Sequence, residues 1–284
     1  QKLVKGRNEI SSLSEKTANM ISEIRLYVDE IRDMSIKQEK INAELGVATK
    51  IQEDMMPTEF PKHADFDLYA TMTPAKEVGG DFYDFFFIDD DHLGLVIADV
   101  SGKGVPAALF MAITKTVLRN SAINGRTPSK SLELTGNIMC QGNRSGYFVT
   151  AWLGILTLST GELTYSNAGH EYPALMHNGE DYKLIENDNM PPLATDENIE
   201  YFDEVVTLQS GDRLFLYTDG VPEAKNGEAE RFGTERMIEI LNRNKNAAPE
   251  ELLDKVKSEV DNFTGDNDPF DDVTMMSIVW RGRD

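Results

Sequence analysis

The run His92-Leu93-Gly94-Leu95-Val96-Ile97-Ala98-Asp99-Val100 leads into Ser101-Gly102-Lys103-Gly104. Its apolar stretch reads as a strand, and Asp89-Asp90-Asp91 before it makes a tight polar turn from a second strand over Phe82–Ile88. Strand, short turn and strand form an antiparallel hairpin. The pattern recurs outward in both directions. Further strands are expected at Asp67–Thr73, Phe148–Leu158, Leu163–Asn167, Ala174–His177, Glu204–Leu208, Arg213–Thr218 and Val273–Trp280. The turns Ser159-Thr160-Gly161 and Asn178-Gly179 separate some of them. Helical spacing appears at Pro106–Ile123, Ser129–Gln141, Thr234–Arg243 and Pro249–Asn262. Hairpins around two pairs of helices predict an α+β fold with antiparallel sheets and helices outside, not a parallel βαβ sheet.

The 284 residues include 28 Lys and Arg against 49 Asp and Glu, a formal net charge of -21. Phosphate backbones are gripped by clustered Lys and Arg, so this balance excludes nucleic acid as the main partner. It also opposes an anionic membrane surface. With 40% hydrophobic residues the chain can bury a substantial core. Cys140 is alone, which removes an intrachain disulfide and a Cys/His zinc framework. No apolar run approaches the roughly 18 residues of a membrane span.

The first 56 residues read as a separate linker helix, with a second domain over 57–284. Heptad a positions fall on Ile10, Thr17, Ile24, Ile31, Gln38, Leu45 and Gln52, and d positions on Leu13, Met20, Tyr27, Met34, Ile41, Ala48 and Met55. Every d residue is apolar, which predicts a parallel coiled-coil homodimer through residues 10–55. Polar Thr17, Gln38 and Gln52 would fix register or allow two. At 1.5 Å per residue the helix is about 70 Å long, and Pro57 stops it. The stretch Asn8-Glu9-Ile10-Ser11-Ser12-Leu13, with Asn19-Met20, resembles the start of the second helix of a HAMP signalling module. That resemblance implies an upstream transmembrane sensor, and for this chain a cytoplasmic place at the inner membrane. The chain opens at Gln1, and we expect it to be a fragment of something longer.

Acidic residues at strand ends need explaining. Gly79-Gly80-Asp81 opens one strand, Asp99 closes another, Asp219 follows Leu214–Thr218, and Asp271-Asp272 opens the last. Asp and Gly are ordinary turn residues, so one such case means little. Four suggest carboxylates gathered at one end of the sheets, where they repel unless a cation neutralises them. Hard divalent ions such as Mg²⁺ or Mn²⁺ take oxygen ligands of this kind.

In this order, GGDFYD (79–84), ADVSGKG (98–104), NAGH (167–170), YTDG (217–220) and DDVT (271–274) resemble the metal-dependent protein phosphatase 2C family, in its bacterial SpoIIE/RsbU branch. The likeness runs from about Ile51 to Trp280. It implies a four-layer αββα sandwich, two antiparallel sheets flanked by helices, and two Mg²⁺ or Mn²⁺ ions that activate a water for attack on phosphorus. By position, Asp99 would bridge both ions. Asp81 and the Val100 carbonyl would complete one site, while Asp219 and Asp271 hold the other, with Asp272 in a slot where relatives tolerate Asn. The implied substrate is a phosphoserine or phosphothreonine on a STAS-domain anti-sigma-factor antagonist, in a partner-switching pathway controlled through the helical stalk.

Other residues stay open. Lys76 could attract the phosphate or be a solvated surface lysine. His170 could donate to a leaving seryl oxygen or cap the Asn167–Gly169 turn. Asp84 should point to the strand face opposite Asp81. The GGDEF signature of cyclases is excluded by Phe82, and a P-loop by Ala98 and Gly104 at its required Gly and Ser/Thr. The rival of another class is a non-catalytic module that binds a partner without hydrolysis.

Overall fold

The computed structural model describes residues 2–186, 188, 190–267 and 269–282, with side chains from Ile10 onward except Ser11. It contains two compact units, one ending at Ala48 and one starting at Thr49. The first is helix α1 (Lys2–Met55) as far as Ala48. Leu13, Met20, Ile24, Tyr27, Ile31 and Met34 are all exposed along it. Asn8, Glu9 and Ser11 of the HAMP-like stretch have side chains outside the described residues. No described helix is long and apolar enough to cross a membrane.

The second unit starts with the last turns of α1, Thr49–Met55, and holds two five-stranded antiparallel sheets. One has the order β1 (Phe66–Thr73), β10 (Val273–Trp280), β9 (Arg213–Tyr217), β6 (Ala174–Met176) and β7 (Lys183–Leu184). The other has β2 (Phe82–Phe87), β3 (His92–Val100), β4 (Val149–Thr157), β5 (Glu162–Ala168) and β8 (Glu204–Thr207). Helices α2 (Val105–Ile123) and α3 (Pro128–Cys140) cover the β3 sheet, while α4 (Thr234–Arg243) and α5 (Pro249–Thr264) lie on the β10 side. The β1 and β10 strands meet β2 and β3 across the middle, so the layers run helix, sheet, sheet, helix. This is the expected αββα sandwich.

Burial explains the pattern. β1 alternates, with Phe66, Leu68 and Ala70 inward, as a strand with one covered face should. β3 is buried without interruption from Leu93 to Ala98, because it lies between the other sheet and α2. One apolar cluster, including Phe66, Phe82, Ile97 and Met276, fills the space between the sheets. A second, including Phe215, Met237, Leu252 and Met275, seats α4 and α5. The expected elements all appear within two residues of their predicted ends. The two-residue β7 was not expected, since Lys183–Leu184 is too short to carry a period.

Candidate metal centre

Strand ends from both sheets meet at one place. Asp81 stands just before β2 and Asp99 near the end of β3, while Asp219 follows β9 and Asp271-Asp272 precedes β10. Side chains tie the two sheets together here. Thr218 Oγ1 donates to Asp81 Oδ2 at 2.7 Å. Asp272 Oδ1 accepts the Ala75 N–H at 2.7 Å, and its Oδ2 accepts the Gly80 N–H at 2.6 Å, with the Asp81 N–H at 3.4 Å. The glycines of the motifs permit this approach. A Cβ on Gly79 would overlap the Asp272 carboxylate, and one on Gly220 would overlap the Asp272 carbonyl oxygen.

The electrostatics match a site short of positive charge. Asp81 is raised well above the usual carboxylate range by burial, then by Asp99 and Asp272, against the pull of Thr274 and Thr218 hydroxyls. Asp99 is pushed up to about 7 by burial and by Asp219, with Asp81 partly opposing the rise. Asp219 is pushed up to about 6 by burial, Asp271, Glu223 and Glu171, with Lys103 opposing. Lys103 Nζ pairs with Asp271 Oδ2 at 2.9 Å and also donates to the Phe270 carbonyl.

Oxygen donors with surplus negative charge suit hard divalent cations. Among the described residues, no three His, Cys, Asp or Glu side chains stand at ligating spacing. Three of the five carboxylates are instead held by protein donors: Asp81 by Thr218, Asp271 by Lys103 and Asp272 by the loop amides. The donor set fits a cation in chemistry, as carboxylates short of positive charge. Asp271 would exchange its ammonium partner for the ion, while both oxygens of Asp272 are already engaged in holding the 75–81 loop. The Val100 carbonyl lies beside Gly80, where a Cβ would meet it at 2.7 Å.

The other sequence candidates fall elsewhere. Lys76 is exposed on the loop before Asp81. His170 is 7% exposed, its Nδ1 hydrogen-bonded with Thr150 Oγ1 at 2.9 Å. Asn167 closes the turn by accepting the His170 N–H at 2.7 Å and donating to its carbonyl at 3.0 Å. Burial pulls the His170 pKa down to about 4, and the Tyr217 backbone opposes this from a position short of hydrogen-bond geometry. Asp84 does face away from Asp81, pairing with Lys115 at 2.7 Å and Arg119 at 3.0 Å from α2. Sequence reasoning missed Thr218 and Lys103 as neighbours of the aspartates. Their places inside YTDG and SGKG were the available signal.

The sequence profile described as Stage II sporulation protein E (SpoIIE) matches residues 89–281. The chain belongs to the SpoIIE family. This SpoIIE-family chain is 31% identical over 207 residues to the phosphoserine phosphatase RsbU of Bacillus subtilis, covering 71% of the chain and 61% of that protein. It is 29% identical over 301 residues to protein IcfG of Synechocystis, covering 96% and 46%. The chain thus spans about half to three-fifths of the length of these relatives. The SiaA-PP2C domain of Pseudomonas aeruginosa shares its fold, with a TM-score of 0.75 at 22% identity over 86% of the chain and 98% of that domain. The SpoIIE-family unit here thus has the sandwich fold that the SiaA-PP2C domain shows.

Proposed function

We propose that this chain hydrolyses phosphoserine or phosphothreonine on a regulatory protein, a STAS-domain anti-sigma-factor antagonist being the substrate that its resemblance to RsbU favours. The convergence of aspartates from both sheets supports this most directly. Asp81, Asp99, Asp219 and Asp271, with the Val100 carbonyl and Asp272 behind them, would hold two Mg²⁺ or Mn²⁺ ions. When bound, such ions lower the pKa of a water and offset charge on the phosphoryl oxygens. The protein's own residues fix the donors and exclude bulk water around them. Asp99 and Asp219 are pushed up to about 7 and about 6, and a bound cation would favour their ionised forms. Lys103 balances part of the excess charge until then, and Lys76 is free to turn toward an incoming phosphate.

We assign residues 10–48 to a parallel homodimeric coiled coil that relays a signal from an upstream transmembrane sensor, with the phosphatase on the cytoplasmic side. The row of exposed apolar d residues supports a second helix there. The whole chain should sediment as a dimer at micromolar concentration, and a monomer would remove that assignment.

The deciding assay is phosphate release from an aryl phosphate and a phosphoseryl peptide with Mn²⁺. Asp99→Ala should abolish it, and undiminished turnover in that variant would sink the metal assignment. A wild type that hydrolyses neither substrate would favour a non-catalytic partner-binding module.

A further inference from the structure

Gln52 behaves unlike its neighbours on α1. It is 6% exposed, whereas Ile51 beside it is 59% exposed. Its Nε2 donates to the Gly79 carbonyl at 2.7 Å, and its Oε1 accepts the Gly79 N–H at 3.0 Å. The side-chain amide therefore grips both polar groups of one glycine residue. One turn earlier, Thr49 Oγ1 donates to the Glu77 carbonyl at 2.7 Å. Residues i and i+3 share a helix face, so the end of α1 holds the 77–79 backbone at two points.

From the other side, Asp272 accepts the Gly80 and Asp81 amides. The segment that presents Asp81 is thus pinned between a helix and the start of β10. A cleft of about 170 Å³ lined by Thr49, Gln52, Met56, Met72 and Tyr83 opens beside the end of α1. Gly79 also has no space for a side chain that could take over the contact.

We propose that Gln52 is a positioning residue for the Asp81 side of the centre. It holds Gly79 through its amide, so a turn or shift of the last turns of α1 is delivered to Asp81 through two hydrogen bonds. This deepens the phosphatase reading and rests on it. The heptad seam offered Gln52 as a polar residue of the coil. The structure gives it to the catalytic unit instead.

The test is Mn²⁺ affinity of the full chain by electron paramagnetic resonance, with hydrogen exchange at the Gly79, Gly80 and Asp81 amides. Gln52→Met keeps length and removes both hydrogen bonds. It should weaken the poorer-bound Mn²⁺ by about 10- to 100-fold, the usual effect of losing a partner behind a ligand, and speed exchange at Gly79. Thr49→Val, which leaves Gln52 in place, should weaken it severalfold and guards against a folding failure of the first variant. Lys50→Met, at an exposed position that is neither a nor d of the heptads, should change nothing. Wild-type affinity in both Gln52→Met and Thr49→Val would overturn the proposal. A wild type that binds Mn²⁺ and loses it in Gln52→Met, yet hydrolyses no phosphoester, would uphold the clamp and overturn the phosphatase reading. A wild type that binds no Mn²⁺ would overturn both.

Discussion

Lys103 Nζ stands 2.9 Å from Asp271 Oδ2, and among the described residues this is the one ion pair made by any of the five strand-end aspartates. Both side chains are less than one-third exposed, so solvent screens the pair only in part. A cation bound at Asp271, as proposed, would have to displace the ammonium. Lys103→Met should therefore bind Mn²⁺ about three- to tenfold more tightly than wild type, on the scale of a partly exposed pair. Isothermal titration decides it, and weaker binding would show that Lys103 supports the ligand set.

Asp99 should be a burden to the metal-free fold. Its carboxyl is nearly buried among Asp219, Asp271 and Asp272, and its pKa is pushed up to about 7. A carboxyl raised in this way favours the folded state at low pH and loses that contribution as pH rises from the unfolded value toward 7. Asp99→Asn, with EDTA at pH 8, should unfold in urea with roughly 1–3 kcal/mol more stability than wild type. At pH 4 the difference should shrink.

Asp272 should behave in the opposite way. Asp272→Ala strands the Ala75 and Gly80 amides in a closed site. The expected loss is about 3 kcal/mol in urea unfolding, from buried donors left without acceptors. An equal loss in Asp99→Ala would mean that the two carboxylates share one structural role.

His170 supplies a pH signature. Its folded pKa is about 4 against an ordinary 6.5, so between those values the unfolded chain takes up a proton that the folded one refuses. Stability is full above about 6.5 and falls as pH drops toward 4, by up to about 3 kcal/mol. His170→Asn should flatten that part of the stability curve. An unaltered slope would place the acid sensitivity elsewhere.

Asp84 is enclosed against the buried Lys115, with the more exposed Arg119 as its second partner. Asp84→Ala leaves a buried ammonium uncompensated and should cost about 3–5 kcal/mol, while Mn²⁺ affinity stays within twofold. Urea unfolding and metal titration together separate this residue from the centre.

The sandwich was legible because its signals are local. β3 announces itself by an unbroken apolar run, and the Asp89–Asp91 turn fixes its hairpin with β2. The centre was legible as a set of aspartates at strand ends, since strand ends are what the sheets bring together. The tasks of adjacent aspartates were not legible. Asp271 and Asp272 look alike in sequence, and only the tertiary approach of Gly79 and Gly80 turns Asp272 toward backbone amides. Gln52 kept the heptad rhythm, so periodicity placed it in the seam. A side chain that reaches 27 residues along the chain leaves no periodic trace.

The ligand set belongs to neither sheet alone: Asp99 comes from the β3 sheet and Asp219 and Asp271 from the β9–β10 sheet. A cation held by all three, as proposed, would act as a reversible rivet through the midline of the sandwich. Its binding energy adds to the cohesion of the two halves and grows with the logarithm of its concentration. The temperature at which the sandwich unfolds would then report how much divalent ion surrounds the protein.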